Sequence, residues 1–141
     1  MIYILLAMLF YTCAIILGAV ASRNANTNLV AAISNIISAI IPVSVIIPIL
    51  NKKLFTNSKY GVVMSVLTGI AIALFTMALT KSYSTNKVAI VAPVVFGGAI
   101  FLSSLLSYFF FKEKISFIQG VGLALLGLGL IFIIYARSTG R

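Results

Sequence analysis

Residues 88–111 read VAIVAPVVFGGAIFLSSLLSYFFF and carry no charged side chain, although Lys87 precedes them and Lys112 follows them. Crossing the hydrocarbon core of a bilayer takes about 20 predominantly apolar residues in an α-helix. This stretch is long enough to cross, and a lysine stands at each end where the chain would reach water. We therefore predict a transmembrane helix over Val88 to Phe111.

Four other stretches have the same character and are separated only by short polar segments. Connections this short make consecutive helices antiparallel neighbours and leave no room for a soluble domain. We predict an all-α integral membrane protein of the cell membrane, with five transmembrane helices in a single domain over residues 1–141. The other four predicted spans are Ile2 to Ala21, Leu29 to Leu50, Tyr60 to Thr80 and Ile115 to Ala136.

The composition supports a membrane location. The 141 residues are 62% hydrophobic and 8% charged, whereas soluble domains have an apolar share of about half. The net charge of +9 comes from Lys and Arg residues spread between the apolar stretches. Such positions favour bilayer phosphates over nucleic acid as their partners. Four tyrosines lie near span ends, where an amphipathic ring prefers to sit: Tyr3, Tyr60, Tyr83 and Tyr135.

The first span has an alternative interpretation, because Ala19-Val20-Ala21 resembles the small-residue cleavage site of a signal peptide. Cleavage would leave four helices. However, no Lys or Arg precedes the apolar run, which also exceeds the usual signal core of about 7 to 15 residues. We expect the first span to be retained.

The spans contain no cluster of acids, bases or metal ligands. Cys13 is the only cysteine, the chain has no His, and Glu113 is the only acidic residue. Glu113 lies between Lys112 and Lys114, so we interpret it as a charge at the level of water or the headgroups. The sequence therefore predicts neither an enzyme nor a cofactor or metal.

Neutral polar groups are the remaining candidates for a substrate pathway. Asn35 is the most polar side chain near the centre of any span, so it should face protein or water. Ser34 and Ser38 lie beside it on the helix, and Pro42 frees the carbonyl of Ser38. The candidate substrate-binding residues on this and two similar faces are Tyr11, Asn35, Ser38, Pro42, Pro93, Ser104 and Tyr108. Close packing through small residues is the alternative role for each face.

The motifs from Leu79 onward resemble the end of one EamA-type repeat of the drug/metabolite transporter superfamily. In that family a Pro-Val step opens the fourth helix, a Glu followed by a basic or Pro residue marks the next turn, and Gln-x-x-Gly leads a Gly-rich last helix. Residues 102–138 are also similar to the last two helices of the small multidrug resistance transporters. The matching residues are Pro93, Glu113 and Gly120, with the last motif tightened to Gln119-Gly120.

This resemblance implies a transporter of small molecules that works by alternating access. EamA-type proteins usually contain two five-helix repeats, the second inverted, with the substrate site between them. A chain with one repeat therefore needs a partner. The first helix lacks the Glu with which small multidrug resistance proteins bind protons and cationic drugs, so neutral or zwitterionic organic metabolites are the expected substrates. A non-transporting subunit or scaffold and a flippase subunit for a lipid-linked substrate are the alternatives.

The distribution of positive charge bears on the partner, because short loops rich in Lys and Arg stay in the cytoplasm. One face has Arg23, Lys81, Lys87, Arg137 and Arg141, and the other has Lys52, Lys53, Lys59, Lys112 and Lys114. This equal division predicts insertion in both orientations and an antiparallel homodimer. The alternative partner is a paralogous subunit of opposite orientation.

The last span carries a strip of small residues at helical spacing, formed by Gly120, Ala124 and Gly127. In the small multidrug resistance family the last helix pairs with its counterpart. The resemblance therefore implies that this strip is the dimer contact. A helix enclosed within one subunit would show the same glycines.

Overall fold

A computed structural model of the chain describes residues 2–49 and 59–139. Within these residues, five helices are long and apolar enough to cross a membrane, which confirms the predicted all-α membrane fold. The helices are α1 (Ile2–Asn24), α2 (Thr27–Ile46), α3 (Lys59–Thr85), α4 (Val88–Phe111) and α5 (Phe117–Ser138).

The ends of α2 are set by a polar cap and a proline. At its start, the Asn26 side chain accepts hydrogen bonds from the backbone N–H groups of Asn28 and Leu29, at 3.0 and 3.3 Å. The α-helical part ends at Ile46, and the chain continues as a 3₁₀ turn over Ile47–Ile49. Pro48 has no N–H to donate to an α-helical carbonyl. The predicted limit of this span, Leu50, lies outside the described residues.

The third helix continues to Thr85, beyond the predicted limit at Thr80. Its last turns are polar but remain helical, and their hydroxyl groups donate to carbonyls of the preceding turn. Ser82 donates to the carbonyl of Ala78 at 2.9 Å, and Ser84 donates to that of Lys81 at 2.8 Å. Hydropathy alone therefore underestimates the length of α3.

The last helix begins at Phe117, two residues after the predicted Ile115, because a capping box precedes it. The Ser116 hydroxyl accepts from the backbone N–H of Gln119 at 3.3 Å, and the Gln119 side chain accepts from the backbone N–H of Ser116 at 2.8 Å. The preceding helix ends at Phe111, and the next residue, Lys112, has a left-handed backbone with a φ of 54°. This sharp turn separates α4 from α5.

The chain divides into two compact units, Met1–Thr85 and Asn86–Arg141. In the first unit, α3 packs against both α1 and α2. Its buried residues lie in the last turns of α1 and α3 and the first turn of α2, namely Ala19, Ser22, Val30, Ala31, Thr80 and Tyr83. At the same helix ends, Nε of Arg23 donates to the carbonyl of Tyr83 at 3.4 Å.

The second unit consists of α4 packed on α5. Residues Pro93–Gly97 of α4 form a π-helical segment, and Pro93 leaves the carbonyl of Ala89 without its usual helical donor. Gly97 lies so close to α5 that an added Cβ atom would be 3.0 Å from Cδ2 of Leu130. The lack of a side chain at Gly97 thus lets this wide turn of α4 approach α5.

Candidate functional site

The amide of Asn35 connects α2 to α3. Its Nδ2 donates to the carbonyl of Ala31 at 2.9 Å and to Oγ1 of Thr76 at 2.8 Å. The Thr76 hydroxyl already donates within its own helix, to the carbonyls of Ile72 and Ala73 at 2.7 and 3.0 Å. Both partners of Asn35 are therefore acceptors, which fixes the NH₂ group toward them and Oδ1 away from them.

Oδ1 of Asn35 accepts no hydrogen bond from any residue that the structure describes. The hydroxyl of Ser38, one turn later, donates to the backbone carbonyl of Asn35 at 3.0 Å and is exposed. Pro42 provides no N–H for the carbonyl of Ser38. The predicted face of α2 thus offers hydrogen-bond acceptors near the middle of the helix.

Tyr11, the predicted substrate-binding residue of α1, lies on a largely exposed surface of that helix. Tyr11 is 48% exposed, and Cys13 is also exposed. Gly18 is half-buried, with no heavy atom within 4 Å of an added Cβ. The α1 face that was predicted to line a pathway is therefore open around Tyr11.

An open groove of about 440 Å³ runs between α4 and α5 in the second unit. Ser104, a predicted substrate-binding residue, lines it together with Ser107 of α4 and Gln119 of α5. Its inner part is apolar, with Ile100, Leu123 and Leu126, and its outer end carries Glu113 and Lys114 of the turn. The groove therefore changes from charged to apolar along its length.

The other two predicted residues of α4 lie outside this groove. Pro93 is half-buried at the start of the π-helical segment. Tyr108 is 53% exposed, and its ring meets that of Phe109 edge to face at a centroid distance of 5.4 Å. Of the predicted residues of α4, the groove includes only Ser104.

The small-residue strip of α5 has two different environments. A Cβ atom added to Gly127 would lie 3.3 Å from Cε2 of Phe101 in α4, so Gly127 packs against a helix of its own subunit. Gly120 has no heavy atom within 4 Å of an added Cβ, and Ala124 is exposed. The dimer contact stays a prediction, and Gly120 and Ala124 are the positions where it can be tested without disturbing Phe101.

Comparison with known families gives a match over nearly the whole chain. The model of the EamA-like transporter family matches residues 1–135. The chain belongs to the EamA-like transporter family. It is thus a multi-pass integral membrane protein of a family of drug/metabolite-type transporters. No curated protein and no solved structure matched the chain.

The match to the EamA-like family includes α1 and α2, where sequence motifs had given little indication of it. Three of the positive residues used to predict the topology of this EamA-like chain, Lys52, Lys53 and Arg141, lie outside the described residues. The equal division of charge between the two faces therefore stays a sequence-based prediction.

In this EamA-like protein, neither the role of Thr76 nor the helix cap formed by Gln119 was predicted from the sequence. A hydroxyl in the middle of an apolar span was the available signal for Thr76. The pattern Ser-x-x-Gln before an apolar run was the signal for the capping box at Ser116 and Gln119.

Tyr83 differs from the other tyrosines that were predicted to lie at the membrane surface. Tyr3, Tyr60 and Tyr135 are exposed, but Tyr83 is 1% exposed. Its hydroxyl has no hydrogen-bond partner within the described residues. Packing near the end of α3 therefore decides the environment of Tyr83, which its position in the sequence could not reveal.

Proposed function

We propose that this EamA-like protein is a secondary transporter, working as an exporter of small neutral or zwitterionic organic metabolites across the cell membrane. The proposal rests on Oδ1 of Asn35, which lies near the middle of α2 and accepts no hydrogen bond from a described residue. In hydrocarbon, an unpaired amide oxygen is costly. Water or the polar groups of a substrate would supply the missing donor.

The proposed substrate class rests on the uncharged polar groups of the proposed pathway. Asn35 and the carbonyl of Ser38 offer acceptors without charge, which suits substrates with O–H or N–H donors. None of the predicted substrate-binding residues is an Asp, Glu, Lys, Arg or His. A charge at the bilayer centre costs about 2.5–3.5 kcal/mol on insertion scales, so an ion without a counter-charge would be disfavoured.

The proposed mechanism is alternating access with two copies in opposite orientations. Five helices provide one repeat of a fold whose substrate site lies between inverted repeats. A second, inverted copy would supply the missing half, and the equal division of Lys and Arg is consistent with both insertions. An oppositely oriented paralogous subunit is the alternative partner.

Thiol labelling tests whether water reaches the face of Asn35. Cys13 is exposed and must first be replaced by Ala. Ser38→Cys then places a thiol one turn from Asn35 without removing its bond to Thr76. Ile36→Cys is the matched control, because Ile36 is 63% exposed and two residues turn an α-helix by about 200°. In membranes, a water-soluble, membrane-impermeant reagent should label Ser38→Cys and leave Ile36→Cys unmodified.

If the reagent labels neither variant, the result would contradict the proposed transport pathway. That result would favour a non-transporting membrane subunit, which could dock through the open positions Gly120 and Ala124. Equal labelling of both variants would also contradict the proposed pathway, because water would then reach opposite sides of α2.

A further inference from the structure

The groove between α4 and α5 contains polar groups whose hydrogen-bonding capacity is unused. Ser107 donates to the carbonyl of Ser104 at 2.9 Å, and Oε1 of Gln119 is occupied by the backbone N–H of Ser116. Within residues 2–49 and 59–139, the hydroxyl of Ser104 and Nε2 of Gln119 have no acceptor, and Glu113 and Lys114 have no partner. The groove therefore has two free donors and two free charges of opposite sign.

These groups follow one another from the end of the helices toward their middle. Glu113 and Lys114 lie in the turn, Gln119 is in the first turn of α5, and Ser104 is about two turns inside α4. Ile100 lies eleven residues before the end of α4, or about 16 Å at 1.5 Å per residue. This depth is about half the hydrocarbon thickness of a bilayer, so the groove extends through one leaflet.

A charged outer end followed by donors and then an apolar channel has the order of groups in a membrane lipid. We propose that the groove binds one phospholipid whose headgroup carries a primary ammonium and a phosphate, as in phosphatidylethanolamine. The ammonium lies against Glu113 and the phosphate against Lys114. Ester oxygens accept from Gln119 and Ser104, and an acyl chain follows Ile100 and Leu126.

The charges that line the groove select this headgroup over others. Glu113 and Lys114 line it, whereas Lys112, with its left-handed backbone, does not. The groove therefore presents one carboxylate and one ammonium, which complement a zwitterion better than an anion. A primary ammonium also donates hydrogen bonds to the carboxylate. A quaternary ammonium has no N–H, so phosphatidylcholine forms a weaker contact.

Native mass spectrometry of the purified full-length protein tests the proposal, which does not depend on transport. The protein would be mixed with equal amounts of phosphatidylethanolamine, phosphatidylcholine and phosphatidylglycerol, and the lipid retained would be measured. We expect about fivefold preference for phosphatidylethanolamine over either competitor, which corresponds to a difference in binding free energy of about 1 kcal/mol. Glu113→Gln should remove the preference over phosphatidylcholine, and Lys114→Gln should weaken retention of all three.

Lys112→Gln is the matched control, because it removes the same charge from a neighbouring residue that does not line the groove. Its lipid preference should equal that of the unmodified protein. Equal retention of the three lipids by the unmodified protein would overturn the proposal. An effect of Lys112→Gln as large as that of Lys114→Gln would also overturn it, since the lipid would then respond to net charge alone.

Discussion

Nδ2 of Asn35 lies 2.8 Å from Oγ1 of Thr76 and donates a hydrogen bond from α2 to α3. This bond separates two roles of a single amide. Its NH₂ group holds neighbouring helices together, and its carbonyl oxygen has no donor among the described residues. The bond to Thr76 can be removed while the carbonyl oxygen of Asn35 is kept.

Asn35→Leu and Thr76→Val should have different effects on transport. Asn35→Leu removes both the bond to α3 and the free Oδ1, so we expect near-normal insertion but impaired transport. Thr76→Val removes only the bond and should retain transport. Each should lose only about 0.6 kcal/mol of stability, the average for an interhelical hydrogen bond in a membrane. Uptake into vesicles and thermal unfolding would be measured for both. Normal transport by Asn35→Leu would show that the residue only packs.

Ile substitutions at Gly120 and Gly127 of α5 should distinguish subunit packing from dimer contact. At Gly127 the new side chain meets Phe101, so Gly127→Ile should destabilise the fold by about 1–3 kcal/mol through overpacking. At Gly120 the space is open, so Gly120→Ile should preserve the fold and reduce self-association. Thermal unfolding and crosslinking report the two effects. An unchanged oligomer in Gly120→Ile would move the dimer contact to another helix.

Removal of the Tyr83 hydroxyl should not reduce stability. The residue is 1% exposed, and its hydroxyl has no partner within the described residues. Tyr83→Phe removes a buried polar group that makes no hydrogen bond, so the free energy of unfolding should stay equal or rise by about 1 kcal/mol. Tyr83→Ala, the control for packing, should cost about 3–5 kcal/mol. A loss of stability in Tyr83→Phe would show that the hydroxyl is hydrogen-bonded in the membrane.

Added lysines should control the orientation of the chain. Two lysines at the C-terminus should keep that end in the cytoplasm, and two beside the N-terminus should produce the opposite arrangement. Each variant alone should be inactive, because it supplies only one of the two orientations, and co-expression should restore transport. Full activity of either variant alone would contradict an antiparallel pair.

The sequence predicted the five helices because hydropathy and length decide which segments cross a membrane. Their ends were less predictable, since α3 stays helical through polar residues to Thr85 and the capping box at Ser116 moves the start of α5 from Ile115 to Phe117. The partner of Asn35 depends on how α3 is rotated, which no local pattern specifies. The groove depends on the left-handed turn at Lys112, a conformation that lysine rarely adopts.

An antiparallel homodimer places the C-terminus of the unmodified protein on both sides of the membrane. The proposed transporter requires two copies in opposite orientations, each supplying half of the transport site. Reporters fused after residue 141, one active only in the cytoplasm and one active only outside it, should both give signal. Signal from one side only would contradict the antiparallel homodimer.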